Sequence, residues 1–198
     1  MLAFGVGSPG ATVSLEQLWA GWRRDYVMAA TGEDRSSEAA ACVFCRIAES
    51  GPPDESNTVV WRDELCLAVL NAYPYASGHL LVMPRRHVGN LAHLTEEEAG
   101  DLWQVARRAV AAVSAAYQPA GVNVGANLGR AAGAGIPEHL HFHVVPRWDG
   151  DTNFMTTVGG VRVLPEDLPV TWRKISEAWR NVKQADLAQR PVADRSGG

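Results

Sequence analysis

The stretch Glu138-His139-Leu140-His141-Phe142-His143-Val144-Val145-Pro146-Arg147-Trp148 restricts the fold more than any other part of the chain. Polar and apolar residues alternate there with a period of two, which suits a strand and not a helix. His139, His141 and His143 then share one face, while Leu140, Phe142 and Val144 enter a core on the other. Half of the six histidines fall within these five residues. An ordinary exposed strand face has no need of histidine, so the cluster reads as a site. Imidazole titrates near about 6.5, and at neutral pH such a row offers uncharged nucleophiles, bases or metal ligands.

The surrounding chain has globular composition, with 46% apolar and 20% charged residues, and 198 residues suffice for one substantial core. A net charge of -4 gives no electrostatic case for nucleic-acid binding. No apolar run approaches the roughly 20 residues that span a bilayer, and residues 1–13 lack a signal-peptide pattern. Three cysteines are too few for a disulfide framework, which points to a reducing, cytoplasmic setting.

Three segments are expected: a mobile stretch and helical leader over 1–37, a central domain over 38–165, and a helix with a disordered tail over 166–198. In the leader, Ser14 with Gln17 is a capping-box pattern, followed by the stripe Leu15, Leu18, Trp19, Trp22 and Tyr26. The central domain opens with a short helix at Cys42 that Gly51-Pro52-Pro53 stops. Val59 to Trp61 and Leu65 to Leu70 read as a hairpin, and His79 to Met83 as a third strand. Thr95 with Glu98 caps a helix to about Tyr117, whose stripe Ala99, Leu102, Trp103, Ala106, Val110, Val113 and Tyr117 packs on the sheet. Gly121 to Leu128 resumes strand structure before the histidines, and Thr152 to Leu164 reads as a hairpin through Gly159-Gly160. Trp172, Ile175, Trp179 and Val182 mark a last amphipathic helix. The class is α+β, an antiparallel sheet with a long crossover helix and additional terminal helices.

Cys42-Val43-Phe44-Cys45 has a redox reading and a metal reading. No thioredoxin-like unit surrounds it, whereas two thiolates with two neutral imidazoles, His87 and His139 being candidates, complete a tetrahedral zinc site of the structural kind. A catalytic zinc on the histidine row competes with this, but thiolates are the stronger claimants. Lone Cys66 reads as core, and His93 as surface or capping. Asn127, Gly133 and Gly135 lie in a glycine-rich loop just before the histidines, where backbone N–H groups can approach a phosphate. His79, at the start of a strand after Gly78, could face the same cleft.

His139-Leu140-His141-Phe142-His143-Val144-Val145 resembles the signature of the histidine triad (HIT) superfamily. The stretch Gly78 to His87, Asn71 and the cysteine pair extend the likeness over roughly Cys42 to Leu164. The Asn71-Ala72-Tyr73-Pro74-Tyr75 loop and Pro146 to Phe154 resemble the branch of diadenosine tetraphosphate hydrolases and phosphorylases, close to fragile histidine triad proteins. The resemblance implies a HIT-like fold and a nucleotide-binding catalytic domain. It makes His141 the nucleophile that takes a nucleoside monophosphate from a dinucleoside polyphosphate, with His143 and His79 assisting at the phosphates. Asn127, Gly133 and Gly135 would cradle phosphate oxygens, Asn71 would touch the ribose, and apolar residues of the 59–70 hairpin would enclose the base. It assigns structural zinc to Cys42, Cys45, His87 and His139, with no organic cofactor. It also implies a homodimer through residues 95–128, with no nucleic-acid or membrane partner.

One departure bears on the second step. Many hydrolases of the family carry Gln and Ser or Thr where this chain has Gly135 and Ile136, which leaves water and phosphate both open as the acceptor, with phosphate favoured by branch resemblance alone. Two further readings are a purine nucleoside phosphoramidase and a nucleotide-binding sensor with little catalysis. Seven tryptophans also exceed what one small core normally hides, which points to an interface or a base-binding surface.

Overall fold

The computed structural model describes residues 42–151 and 166–188, with side chains of the last helix described as far as residue 182. The expected leader helix with Trp19, Trp22 and Tyr26, the hairpin within Thr152 to Leu164 and the tail from Arg190 lie outside the described residues. The elements run α1 (Val43–Ala48), β1 (Val59–Arg62), β2 (Cys66–Leu70), β3 (Leu80–Pro84), α2 (Glu96–Tyr117), β4 (Gly121–Ala126), β5 (Phe142–Arg147) and α3 (Leu168–Ala188), with short 3-10 turns at Leu91–His93 and Arg130–Ala132. The five strands form one antiparallel sheet in the order β1-β2-β3-β5-β4. The α+β architecture with a long crossover helix is therefore present.

Period-two alternation divides the strands between two cores. Cys66, Ala68, Leu70, Leu80, Val82 and Val144 face α2 and α3, where they meet Leu102, Val105, Ala109, Val113, Ile175 and Trp179. Leu67, Val69, Leu81 and Met83 face the other way, against Phe44 and Ala48 of α1. Lone Cys66 is fully buried, as expected of a core residue.

The start of α2 follows its sequence signal. The Thr95 side chain accepts from the Glu98 N–H, and the Glu98 carboxylate accepts from the Thr95 N–H. The buried face differs from the expected stripe, because Val105, Ala109 and Ala112 are buried while Ala99 and Trp103 are exposed. Small side chains line the face that lies close over the sheet, and the bulky indole turns outward. Helix α3 keeps its expected stripe: Ile175 and Trp179 are buried, Trp179 stacks on Trp61, and the Trp172 indole N–H donates to the Val59 carbonyl. These two tryptophans thus belong to the intramolecular core. Among the described residues no helix is long and apolar enough to cross a membrane.

Candidate active site and metal centre

The histidine stretch enters the sheet late, since β5 begins only at Phe142 and His139 to His141 form its irregular lead-in. Alternation nevertheless holds. Leu140 and Val144 go to the helix side, and the three imidazoles go to the side of α1. His79 shares the parity of Leu81 and Met83 on β3, and Leu81 is paired with His143. Strand register therefore brings His79 beside the triad.

Hydrogen bonds assign every tautomer in this group. The Tyr75 backbone N–H donates to His79 Nδ1 at 3.0 Å, so the His79 proton is on Nε2. That Nε2 lies 3.0 Å from His143 Nδ1 and donates to it, which leaves His143 with its proton on Nε2. His141 Nδ1–H donates to the His139 carbonyl at 2.8 Å, leaving a lone pair on Nε2. That nitrogen has no hydrogen-bond partner among the described residues. One ring thus offers an aimed lone pair and its neighbour offers a proton, with ring centroids 5.0 Å apart.

The imidazoles are more enclosed than an open strand face would leave them. His139 is 0% and His141 6% exposed, because the Phe44 ring of α1 lies edge-on to both. Burial disfavours the charged form, so it pushes His141 below the ordinary imidazole range. His143 is pushed down to about 4 by burial, with His141 adding to the shift. Both rings are neutral near pH 7, as a nucleophile and a hydrogen-bond donor require.

Cys42, Cys45, His87 and His139 converge, with all four ligand atoms within 4.8 Å of one another. Cys42 Sγ lies 3.5 Å and Cys45 Sγ 3.6 Å from His139 Nδ1, and Cys45 Sγ lies 3.3 Å from His87 Nδ1. Tetrahedral zinc with Zn–S of about 2.3 Å and Zn–N of about 2.0–2.1 Å places sulfur and nitrogen about 3.6 Å apart. The donor set fits the ion. His139 Nε2–H donates to the Pro84 carbonyl at 2.8 Å, so its Nδ1 lone pair faces the sulfurs. Burial and the adjacent Cys42 thiol push Cys45 up to about 11, a penalty that a bound cation would reverse. Gly89 permits the close approach of the segments carrying His87 and His139: a Cβ there would stand 2.6 Å from the Pro137 carbonyl oxygen.

The expected phosphate loop is closed by Asn127 Nδ2 donating to the Gly133 carbonyl at 3.3 Å. Gly129 and Gly133 adopt φ of +80° and +89°, which favours glycine. Gly125 pairs with His143 and Ala126 with Phe142, so the register continued one step sets Asn127 across from His141. Gly135 is half-buried in the same loop. Asn71 Oδ1 accepts from the Tyr73 N–H at 2.9 Å, and its Nδ2 lies 3.4 Å from His79 Nδ1. His93 is exposed and contributes its carbonyl to Arg86.

Sequence reasoning missed two contributors, Phe44 over the triad and Tyr75. The Tyr75 ring stacks on His143 at 5.8 Å with a 12° interplanar angle. A phenylalanine between paired cysteines and a tyrosine in a loop carry no local mark of such roles. A groove of about 570 Å³ beside Cys45 and His87, with Arg46, Arg85 and Arg86, lies at the cysteine–histidine cluster and not at His141.

Residues 53–150 match the HIT domain family. The chain is 41% identical, over 172 residues, to a protein of Mycobacterium tuberculosis named AP-4-A phosphorylase, covering 86% of this chain and 87% of that one. It is 36% identical over 89 residues to a bis(5'-adenosyl)-triphosphatase of Dictyostelium discoideum, covering 45% of this chain and 59% of that protein. Among solved structures, a zinc-bound histidine triad family protein from Mycobacterium smegmatis superposes with a TM-score of 0.61 at 29% identity, covering 75% of this chain and 99% of that one.

Proposed function

This chain belongs to the HIT domain family, and on that premise we propose that it is an enzyme cleaving dinucleoside polyphosphates of the diadenosine tetraphosphate type, with phosphate as acceptor. The observation that carries the reading is the pinned His141, whose Nδ1–H is held by the His139 carbonyl while Nε2 is left as a lone pair. Nε2 attacks the α-phosphorus, the bond to the leaving nucleotide oxygen breaks, and His143 Nε2–H supplies the hydrogen bond or proton that this oxygen needs. Asn127 and the N–H groups around Gly133 and Gly135 stabilise the charge gathering on the phosphoryl oxygens. Inorganic phosphate then attacks the nucleotidyl-histidine, restoring His141 and giving a nucleoside diphosphate. Gly135 and Ile136 bring no polar side chain to hold a water, and the relative named a phosphorylase aligns over most of the chain.

Asn71 Oδ1 accepts one N–H from the loop and keeps a second lone pair for a ribose hydroxyl. Cys42, Cys45, His87 and His139 hold zinc, which braces the triad lead-in against α1 and takes no part in the chemistry. All three cysteines are free, which suits the reducing cytoplasm. The protein acts as a homodimer, a reading supported by the exposed edge strand β4 and by Trp103 and Val124, which are 56% and 41% exposed.

Product analysis of diadenosine tetraphosphate turnover, with and without added phosphate, tests this. ADP plus ATP is expected, at a rate that needs phosphate; AMP plus ATP would establish hydrolysis instead. The His141→Ala variant is expected to fold, bind nucleotide and lose nearly all turnover. Retained turnover would sink the reading.

A further inference from the structure

We infer that Tyr73 and Tyr75 form the platform for the second base of the substrate, the one that departs with the leaving nucleotide. The inference rests on the dinucleotide-cleavage reading and names a specificity surface for it. Tyr73 is 80% exposed and Tyr75 49%, two large rings within three residues on a loop whose Tyr75 ring lies against His79 and His143. Their loop is not a slack turn. The Tyr73 N–H is held by Asn71 Oδ1, the Tyr75 N–H by His79 Nδ1, and the Asn71 N–H by the His79 carbonyl. The loop backbone is thus held against the histidines before any ligand arrives, and the Tyr75 ring rests on those of His79 and His143.

Reaction geometry says which half of the substrate they meet. In-line displacement sets the leaving oxygen on the side of phosphorus away from the His141 lone pair. The proton for that oxygen is on His143 Nε2, and the ring lying parallel over His143 is Tyr75. The tyrosines therefore border the path of the departing polyphosphate and not the bound monophosphate. Among the described residues the Tyr73 ring and hydroxyl make no hydrogen bond or ring contact, so its outer face is open for stacking. A nucleobase is the planar group that a dinucleotide brings to that side, and base–aromatic stacking tolerates any base.

The test compares diadenosine tetraphosphate with adenosine 5'-tetraphosphate, which has the same phosphate chain and lacks the second nucleoside. Tyr73→Ala is expected to lower kcat/KM for the dinucleotide on the order of tenfold, through KM, and to leave the mononucleotide unchanged. Tyr73→Trp restores the dinucleotide preference. An equal loss on both substrates, or no loss on either, overturns the inference while leaving the cleavage reading intact. Failure of the unmodified enzyme to cleave either compound removes the cleavage reading, and the platform with it.

Discussion

At His143 the position of one proton is set by a relay that begins in a backbone amide. The Tyr75 N–H fixes the His79 tautomer, and His79 Nε2–H then fixes that of His143. His79 is 1% exposed, and on the proposed mechanism it would act only through His143, as a positioning residue. Replacing it with Phe leaves His143 free to carry its proton on either nitrogen. We expect kcat to fall on the order of 10²-fold with little change in KM. The deficit should shrink for an AMP ester whose leaving group needs no proton, which a merely structural loss would not do. The pH profile gives a second readout of this variant. The folded His143 value of about 4 lies below the unfolded value of about 6.5, so the fold resists protonation. Its cost to stability is absent above about pH 6.5 and grows as pH falls toward 4. The unmodified enzyme should therefore keep kcat/KM level well below pH 6.5, whereas His79→Phe should show a displaced acid limb. An unmodified enzyme that breaks near pH 6.5 would contradict a buried, neutral His143.

At the scale of elements, the cysteine–histidine cluster depends on two chain segments that cross with almost no clearance. Leu140 N–H donates to the Val88 carbonyl at 2.6 Å, and Gly89 faces the Pro137 carbonyl. Gly89→Ala forces these segments apart and separates His87 from His139. Expected outcomes are faster zinc loss to a chelator and a lower Tm, with kcat of the remaining zinc-loaded fraction unchanged. Unaltered zinc retention would show that the crossing does not set the ligand geometry. Nothing local in Val88-Gly89-Asn90 signals this crossing, although the four residues that converge there, Cys42, Cys45, His87 and His139, were picked out by residue type. The start of α2 was legible too, because its Thr95/Glu98 capping box is written in neighbouring residues. The buried face of α2 was less so. A stripe drawn through large side chains includes Trp103, but close helix–sheet packing selects Ala109 and Ala112. For the triad, period two gave the shared face, while its depth depends on Phe44 from a distant segment.

For the whole molecule, what remains uncovered after the core closes decides its assembly. Of the seven tryptophans whose number pointed to an interface or a base-binding surface, Trp172 and Trp179 lie inside: α3 packs them on β1, and Trp61 stacks with Trp179. Among the described residues β1 and β4 are the edge strands; β4 is the one whose residues are mostly exposed, and Val124 on it lies on the side of the sheet occupied by α2. Trp103 of α2 is exposed as well. A strand edge left with free N–H and C=O groups invites pairing unless charge or bulges guard it, and Gly121-Val122-Asn123-Val124-Gly125-Ala126 carries no charge at all. An edge strand pairing with its symmetry mate, flanked by two α2 helices, satisfies both the backbone and the indole through one self-complementary contact. We therefore expect a dimer by sedimentation equilibrium, and monomers when Val124→Lys and Trp103→Glu are combined, since each puts a charge where the twofold contact would bury it. Both positions are exposed in the single chain, so the monomer should keep its helical and sheet content. A double variant that remains dimeric would move the interface away from α2 and β4.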